Sequence, residues 1–267
     1  MSIKKIGIIA IIVIILGSAI NIGMSIAGGF IKNSQKIELG NEEFTKINIT
    51  GDNTTIKVVP TASSHGKVEF TSKKSSGSRV EAYVEGDTLY VELKKKKLFN
   101  WFNIGINARG NKIVLSVPDE KYDELRTKTD NGQIIAKGLQ FKNVDIESNN
   151  GKIVLGNLET KKVNVKTDNG KIDLHHVTGD IDAKSDNGQI SMVTDNLDRT
   201  ISLKTDNGLI NILTSSEPKN VTIQANIDNG RINIFGSANE ETIFGKGKNK
   251  INLKTDNGII SIKKGNE

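Results

Sequence analysis

The 267-residue sequence predicts an all-β fold, a β-solenoid of stacked coils of about 19 residues, preceded by one N-terminal transmembrane helix. Three observations carry that expectation. A phrase close to Lys-Thr-Asp-Asn-Gly-x-Ile-x-apolar occurs seven times, with its glycines at Gly132, Gly151, Gly170, Gly188, Gly208, Gly230 and Gly258, in steps of 19, 19, 18, 20, 22 and 28 residues. A near-constant period of this size marks units that bury an apolar face only against their neighbours. Elsewhere apolar and polar residues alternate with period 2, the pattern of half-buried strands. The run 6–30 contains nothing more polar than Ser18, Asn21 and Ser25, and about 20 apolar residues are enough to cross a ~30 Å hydrocarbon core as a helix.

Residues 1–31 read as the anchor. Lys4 and Lys5 precede the apolar run, so the positive-inside rule keeps the N-terminus cytoplasmic and sends everything from Lys32 outward. The competing reading is a cleaved signal peptide, with Ser25-Ile26-Ala27 imitating a small-x-small cleavage site. A signal's apolar region usually ends within 7–15 residues, whereas this one continues past Leu16, which favours a retained helix. Residues 32–42 are polar and read as a tether. An extracytoplasmic β domain then fills 43–267, with alternating strands over 43–125 and the Asp-Asn-Gly repeats over 126–267. The strand sets in the first part are Ile47 and Ile49, Ile56 and Val58, Val68 and Phe70, Val80 to Val84, Leu89 to Leu93, and Ile113 to Val117. Thr50-Gly51-Asp52-Asn53 and Glu85-Gly86-Asp87 supply turn chemistry between them. Residues 119–125 have room for one helical turn at most.

In the unit starting at Val163, alternation puts Val163, Val165 and Thr167 on one face, and Ile172 and Leu174 return to that face after Asp168-Asn169-Gly170. The position two after each glycine is always isoleucine: Ile134, Ile153, Ile172, Ile190, Ile210, Ile232 and Ile260. Asn-Gly is also the strongest short hairpin signal, so an antiparallel meander and a stacked solenoid both satisfy this parity. The charge columns favour the solenoid. Lys128, Lys166, Lys184, Lys204 and Lys254 each stand two before an aspartate, so that a lysine column neutralises an aspartate column. In the second unit lysine becomes Glu147 and the aspartate becomes Asn149, which avoids placing like charges side by side.

Composition narrows the chemistry. With no cysteine there is no disulfide framework, thiol nucleophile, thiolate metal site or lipid attachment through that residue. The net charge of +6 is carried mostly by dispersed lysine, which suits anionic polymers or lipid headgroups rather than nucleic acid. The abundance of Ile, Lys and Asn fits a low-GC Gram-positive bacterium. Calcium wants six to eight oxygens, while each unit offers one Asp beside an ammonium group, so the aspartates read as turn residues and no metal or other cofactor is expected. Nor is catalysis. His175 and His176 are adjacent and point to opposite faces, His65 stands apart, and Glu240-Glu241 reads as a polar loop.

One stretch breaks the pattern. Lys94, Lys95, Lys96, Lys97, Phe99, Trp101 and Phe102 concentrate four lysines, two phenylalanines and the sole tryptophan. As a contact surface they would give charge and interfacial aromatics to an anionic envelope. As structure they would fold over an open end of the stack.

The lone N-terminal segment, the strand closed by Val117-Pro118 and the Asp-Asn-Gly-x-Ile units resemble the bacterial putative-adhesin family of β-strand-repeat proteins, including the LiaG-like envelope proteins. The likeness covers roughly 44–263 and brings no catalytic residues with it. It implies a β-helix-like domain displayed at the cell surface with a non-catalytic binding or scaffolding role. An accessory role in an envelope stress response is the alternative, and a carbohydrate-active enzyme a remoter one. The three prolines, Pro60, Pro118 and Pro218, leave no Leu-Pro-x-Thr-Gly motif, so covalent attachment to the wall is not expected. The expected partners are the lipid bilayer and anionic envelope polymers or another envelope protein.

Overall fold

A computed structural model describes residues 23–27, 30–73, 77–95 and 110–265. Its strands, in chain order, are β1 (Gly23–Ala27), β2 (Phe30–Glu38), β3 (Lys46–Thr50), β4 (Thr54–Thr61), β5 (Lys67–Lys73), β6 (Ser78–Glu85), β7 (Thr88–Lys95) and β8 (Asn111–Pro118). The repeats supply β9 (Lys121–Lys137), β10 (Gln140–Leu158), β11 (Lys162–Val177), β12 (Asp180–Thr194), β13 (Ile201–Thr214) and β14 (Val221–Ile234), followed by β15 (Glu241–Phe244) and β16 (Asn249–Lys264).

Each repeat is one strand that continues through its Asn-Gly step and pairs in parallel with the next. Ile153 lies beside Ile172, Ile172 beside Ile190, and Ile190 beside Ile210. That register excludes the antiparallel meander. It also forces each strand to double back on itself. Val177, at the end of β11, pairs with Leu158, while Asp180 pairs with Lys162. Only residues 159–161 separate Leu158 from Lys162, and three residues span about 10 Å, the distance between two packed sheets. A coil therefore consists of two half-strands facing one another, with Asn-Gly at one edge and a short connection at the other. Between them lie Val163, Val165, Ile172 and Leu174, all at 0% exposure. Each such side chain contributes about 1.5–3 kcal/mol through burial.

The stack extends beyond the seven repeats. β3 lies along the first half of β9 (Ile47 beside Leu125) and β4 along the second half (Ile56 beside Ile134), so the two strands make an eighth rung with Gly51-Asp52-Asn53 as its corner. β7 and β8 form the next rung in the same way, pairing in parallel with β3 and β4. At this pole β6 joins β7 and β5 joins β8, both antiparallel, and β2 then β1 continue from β5. At the other pole chain order is broken. β16 lies between β13 and β14, with Ile260 beside both Ile210 and Ile232, and β15 covers β14 only as far as Gln224.

The structure differs from the expected organisation at the N-terminus and fills in the segment before the repeats. The end of the expected membrane helix, Gly23–Ala27, is strand β1, and most of the expected tether is strand β2. The edge of β5 accounts for this, because it supplies backbone partners from Lys32 to Glu38 while Ile37 packs on the core. Residues 1–22 lie outside the described residues, among which no helix is long and apolar enough to cross a membrane. Residues 121–125 are already strand rather than a helical turn, since β3 offers pairing from Lys46 to Thr50 and Tyr122 and Leu125 are buried.

Candidate functional site: the asparagine edge

At the corners of the eight rungs from β3–β4 to β14 an asparagine points outward, and the ladder of their amides joins each rung to its neighbour. Asn131 Nδ2 donates to Asn53 Oδ1 (2.9 Å), Asn150 to Asn131 (3.0 Å), Asn169 to Asn150 (2.9 Å), and Asn187 to Asn169 (3.0 Å). The series continues from Asn207 to Asn187 (3.0 Å), from Asn257 to Asn207 (3.0 Å) and from Asn229 to Asn257 (3.2 Å). All seven bonds point the same way, and aligned amides polarise one another. The glycine that follows is required by close stacking, as Gly170 illustrates. A methyl group there would run into the carbonyl oxygen of Gly151. Just inside the corner, Thr129, Thr167, Ser185, Thr205 and Thr255 are fully buried, and Thr205 Oγ1 donates to the Gly188 carbonyl (3.3 Å).

Beside the ladder the charge columns pair as their alternation predicts. Lys184 meets Asp186 at 2.8 Å, and Lys204–Asp206 and Lys254–Asp256 are both 3.5 Å apart. Donating a hydrogen bond to Asp186 raises the Lys184 ammonium above its ordinary pKa, and the Asp186 carboxyl is lowered in return. In the unit with exchanged residues, Lys128 bonds Glu147 at 3.0 Å, and Asn149 Nδ2 donates to Asp130 Oδ1 at 3.2 Å. The two substitutions thus compensate each other across rungs.

The described ends of the aromatic and lysine segment lie at the same edge. β7 is the first half of its rung and β8 the second, so the chain between Lys95 and Asn111 leaves and returns where the other rungs turn with Asn-Gly. Lys94 bonds the Glu92 carboxylate and Lys95 ends β7. Lys96, Lys97, Phe99, Trp101 and Phe102 lie outside the described residues.

The histidines do not converge. His65 contacts Ser64 Oγ (3.0 Å) and Asn41 at the rim of a cavity of about 450 Å³ bounded by Leu39, Phe44, Pro118 and Glu120. His176 Nδ1 lies 3.0 Å from Asp195 Oδ2 on the following rung. Glu240 precedes β15, and Glu241 begins it by accepting from Gln224 Nε2 (3.2 Å). Among the described residues no group of three or more His, Asp or Glu side chains is placed to hold a metal ion.

One buried charge and one half-buried charge escape sequence reasoning. Asp173 faces outward in its strand yet is almost fully covered, with Lys152 at 2.8 Å and Lys171 at 2.9 Å. Burial raises its pKa, but hydrogen bonds from the two ammonium groups outweigh that and hold the carboxyl below its ordinary value. Arg199 sits at the opposite edge, donating to the carbonyls of Val177 (2.7 Å) and Gly179 (2.8 Å) and to Thr194 Oγ1 (3.2 Å). Burial pushes its guanidinium down to about 10, so it stays charged at neutral pH. Alternation flags neither residue, since one is in an outward row of mixed character and the other in a connection.

The chain belongs to the Toastrack DUF4097 family, whose model matches residues 44–168 and again 127–263. Among solved structures it is similar to a putative cell adhesion protein from Clostridium sporogenes, with 16% identity, 88% of this chain and 99% of that chain covered, and a TM-score of 0.39. A putative adhesin from Bacteroides fragilis shares 15% identity over 86% of this chain and 96% of its own, with a TM-score of 0.47. A putative lipid binding protein from Parabacteroides distasonis shares 14% identity over 87% and 97%, with a TM-score of 0.32. No curated protein matches the chain.

Proposed function

We propose that the chain is a membrane-anchored protein of the bacterial envelope that binds or scaffolds at the cell surface without chemistry of its own. The apolar stretch before β1 holds it in the bilayer with the N-terminus cytoplasmic and the rod outside. The asparagine edge carries the contact surface. Lys94, Lys95, Lys96 and Lys97 supply positive charge, and Phe99, Trp101 and Phe102 supply interfacial aromatic area toward anionic polymers or headgroups.

The observation that carries this reading is the length of one corner. Neighbouring rungs turn within three residues, while the rung of β7 and β8 takes the chain from Lys95 to Asn111 and gathers lysines and aromatics there. Loops this long inside an economical fold commonly carry function. The repeated side chains support a scaffold, because asparagine is committed to asparagine and lysine to aspartate.

The test uses the full-length chain. Proteolysis of intact cells removes the rod if it is displayed outside, and protection overturns that placement. Co-sedimentation with anionic vesicles and purified wall polymer should fall when Lys94 to Lys97 are changed to glutamine or Trp101 and Phe102 to serine, with melting unchanged. Undiminished binding moves the contact elsewhere, and a collapsed melting transition makes the segment a structural cap. Recovery of a membrane sensor protein with no envelope binding would favour the stress-response role instead.

A further inference from the structure

Lysine is treated differently at the two edges of the stack. On the asparagine edge Lys128, Lys184, Lys204 and Lys254 are each paired with a carboxylate. At the opposite edge, around β13, β14 and β16, stand Lys219, Lys246, Lys248, Lys250, Lys263 and Lys264. All six are exposed, and none forms an ion pair with another described residue. Glu217 is the only acidic residue in the two connections concerned, 215–220 and 245–248. Asp198 reaches the first of them but spends its carboxylate on the backbone, accepting from Lys219 N–H (2.9 Å) and Asn220 N–H (2.6 Å).

Backbone contacts hold these lysines in place. Asn220 ties the two connections together. Its Oδ1 accepts from Lys248 N–H (3.0 Å), and its carbonyl accepts from the backbone N–H (3.1 Å) and Nδ2 (2.9 Å) of Asn249. Thr222 Oγ1 donates to the Gly247 carbonyl (3.1 Å). Gly245 and Gly247 both take left-handed φ, +60° and +63°, and a side chain at Gly245 would strike the Lys219 carbonyl. Only glycine lets the turn lie this close to Lys219. Lys246, Lys248 and Lys250 then follow at alternate positions, at most about 7 Å apart along the chain. Lys264 lies opposite Thr214, where the first connection begins, and Gly265 N–H donates to the Thr214 carbonyl (3.1 Å).

We propose that this edge is a docking site for a phosphodiester polymer, with successive phosphates lying against the two lysine-bearing connections. Ammonium groups are compact point charges that suit phosphate, whereas bidentate carboxylate recognition favours arginine. Arg199, the arginine of this edge, is committed to the Val177 and Gly179 carbonyls. Like charges gathered without partners repel one another, and a polyanion relieves that repulsion while releasing its own counterions. The site is separate from the segment that follows β7, which lies at the other edge and near the other pole. β16 is the eleventh strand from β1 in the sheet order, so ten spacings of about 4.8 Å put the lysines about 48 Å along the stack. Anchored ahead of β1, the chain would hold them many Debye lengths from its own headgroups, within reach of wall polymer. That choice of source rests on the envelope reading, and the phosphate chemistry does not.

The test titrates the full-length chain, in nonionic detergent micelles, with a synthetic glycerol-phosphate oligomer at several salt concentrations. Changing Lys219, Lys246, Lys248 and Lys250 to glutamine should weaken binding tenfold or more at low salt and flatten the slope of log Kd against log salt by about 3. Lys248→Gln alone should flatten it by about 1, a change that partial unfolding does not mimic. A quadruple variant that binds like wild type, or single and quadruple variants with the wild-type slope, overturns the site. Equal weakening toward polyglutamate overturns the preference for phosphate. Tighter binding to phosphatidylglycerol vesicles than to the oligomer overturns the wall as the source. The variant with Lys94 to Lys97 changed to glutamine separates the two readings. It should keep its grip on the oligomer through this edge, and loss of all binding there would leave the segment after β7 as the contact and overturn the edge site.

Discussion

From β9 to β13 neighbours in the chain are neighbours in space, whereas at both poles they are not. At one pole the rung of β3 and β4, early in the chain, lies inside the later rung of β7 and β8. At the other, the last strand, β16, is slotted between β13 and β14. A stack laid down strictly in order can shed its outermost unit while breaking one interface, because each repeat holds only its neighbours. Interleaving removes that route, since the C-terminal strand cannot leave without breaking two. Regularity builds the rod, and irregular ends keep it from fraying.

The largest effect expected from this contrast comes from ending the chain after Gly247. Losing β16 removes Ile251, Leu253, Ile260 and Ile262, all fully buried, at about 6 kcal/mol or more in total. Thermal melting should show β14 and β15 lost with it, and a melting curve close to wild type would show that interleaving contributes little. Next, Ile172→Ala in the ordered middle should cost about 3–4 kcal/mol, and Ile232→Ala at the half-covered tail less than half of that. Chemical denaturation of the two variants measures the ratio, and equal losses would erase the distinction between middle and end.

Asp173→Asn should cost about 1–2 kcal/mol at neutral pH by leaving two ammonium groups without their shared acceptor. Because the folded carboxyl is held below its ordinary value, its contribution is complete above the unfolded pKa near 4 and fades as pH falls through the folded one. Stability measured against pH should therefore drop less steeply below pH 4 in the variant than in the wild type. The smallest effect falls on the exposed ladder. Asn169→Asp replaces a donor by a carboxylate facing Asn150 Oδ1 and should cost about 1 kcal/mol, with less loss at low pH, where the new carboxyl can donate.

Much of this architecture is visible in the residues. The isoleucine two after each glycine marks the buried column, and the linked change to Glu147 and Asn149 foretells neighbouring rungs. The eighth rung is hidden because its glycine, Gly51, comes before Asn53 instead of after it, and the strand breaks there into β3 and β4. The placement of β16 is hidden for a different reason. Every repeat has the same apolar columns, so any of them fits against any other, and only connection lengths and end chemistry choose the order. The 28-residue step before Gly258 was the one trace of it. Of the candidate contact surface, the sequence identifies the unusual side chains, and the pairing of β7 and β8 locates only the two ends of the segment that carries them.

The asparagine ladder also bears on how the molecule ages. Asn-Gly is the dipeptide most prone to deamidation, because the glycine nitrogen can swing round to attack the side-chain carbonyl carbon and close a succinimide ring. This chain carries seven such pairs. Here each side-chain amide is pinned to the rung before it and each glycine is wedged under its neighbour's carbonyl, so the ring cannot close without separating two rungs. The sites most exposed to chemical damage in the unfolded chain thus become slow clocks in the folded one, and their deamidation rate reports how often the stack opens.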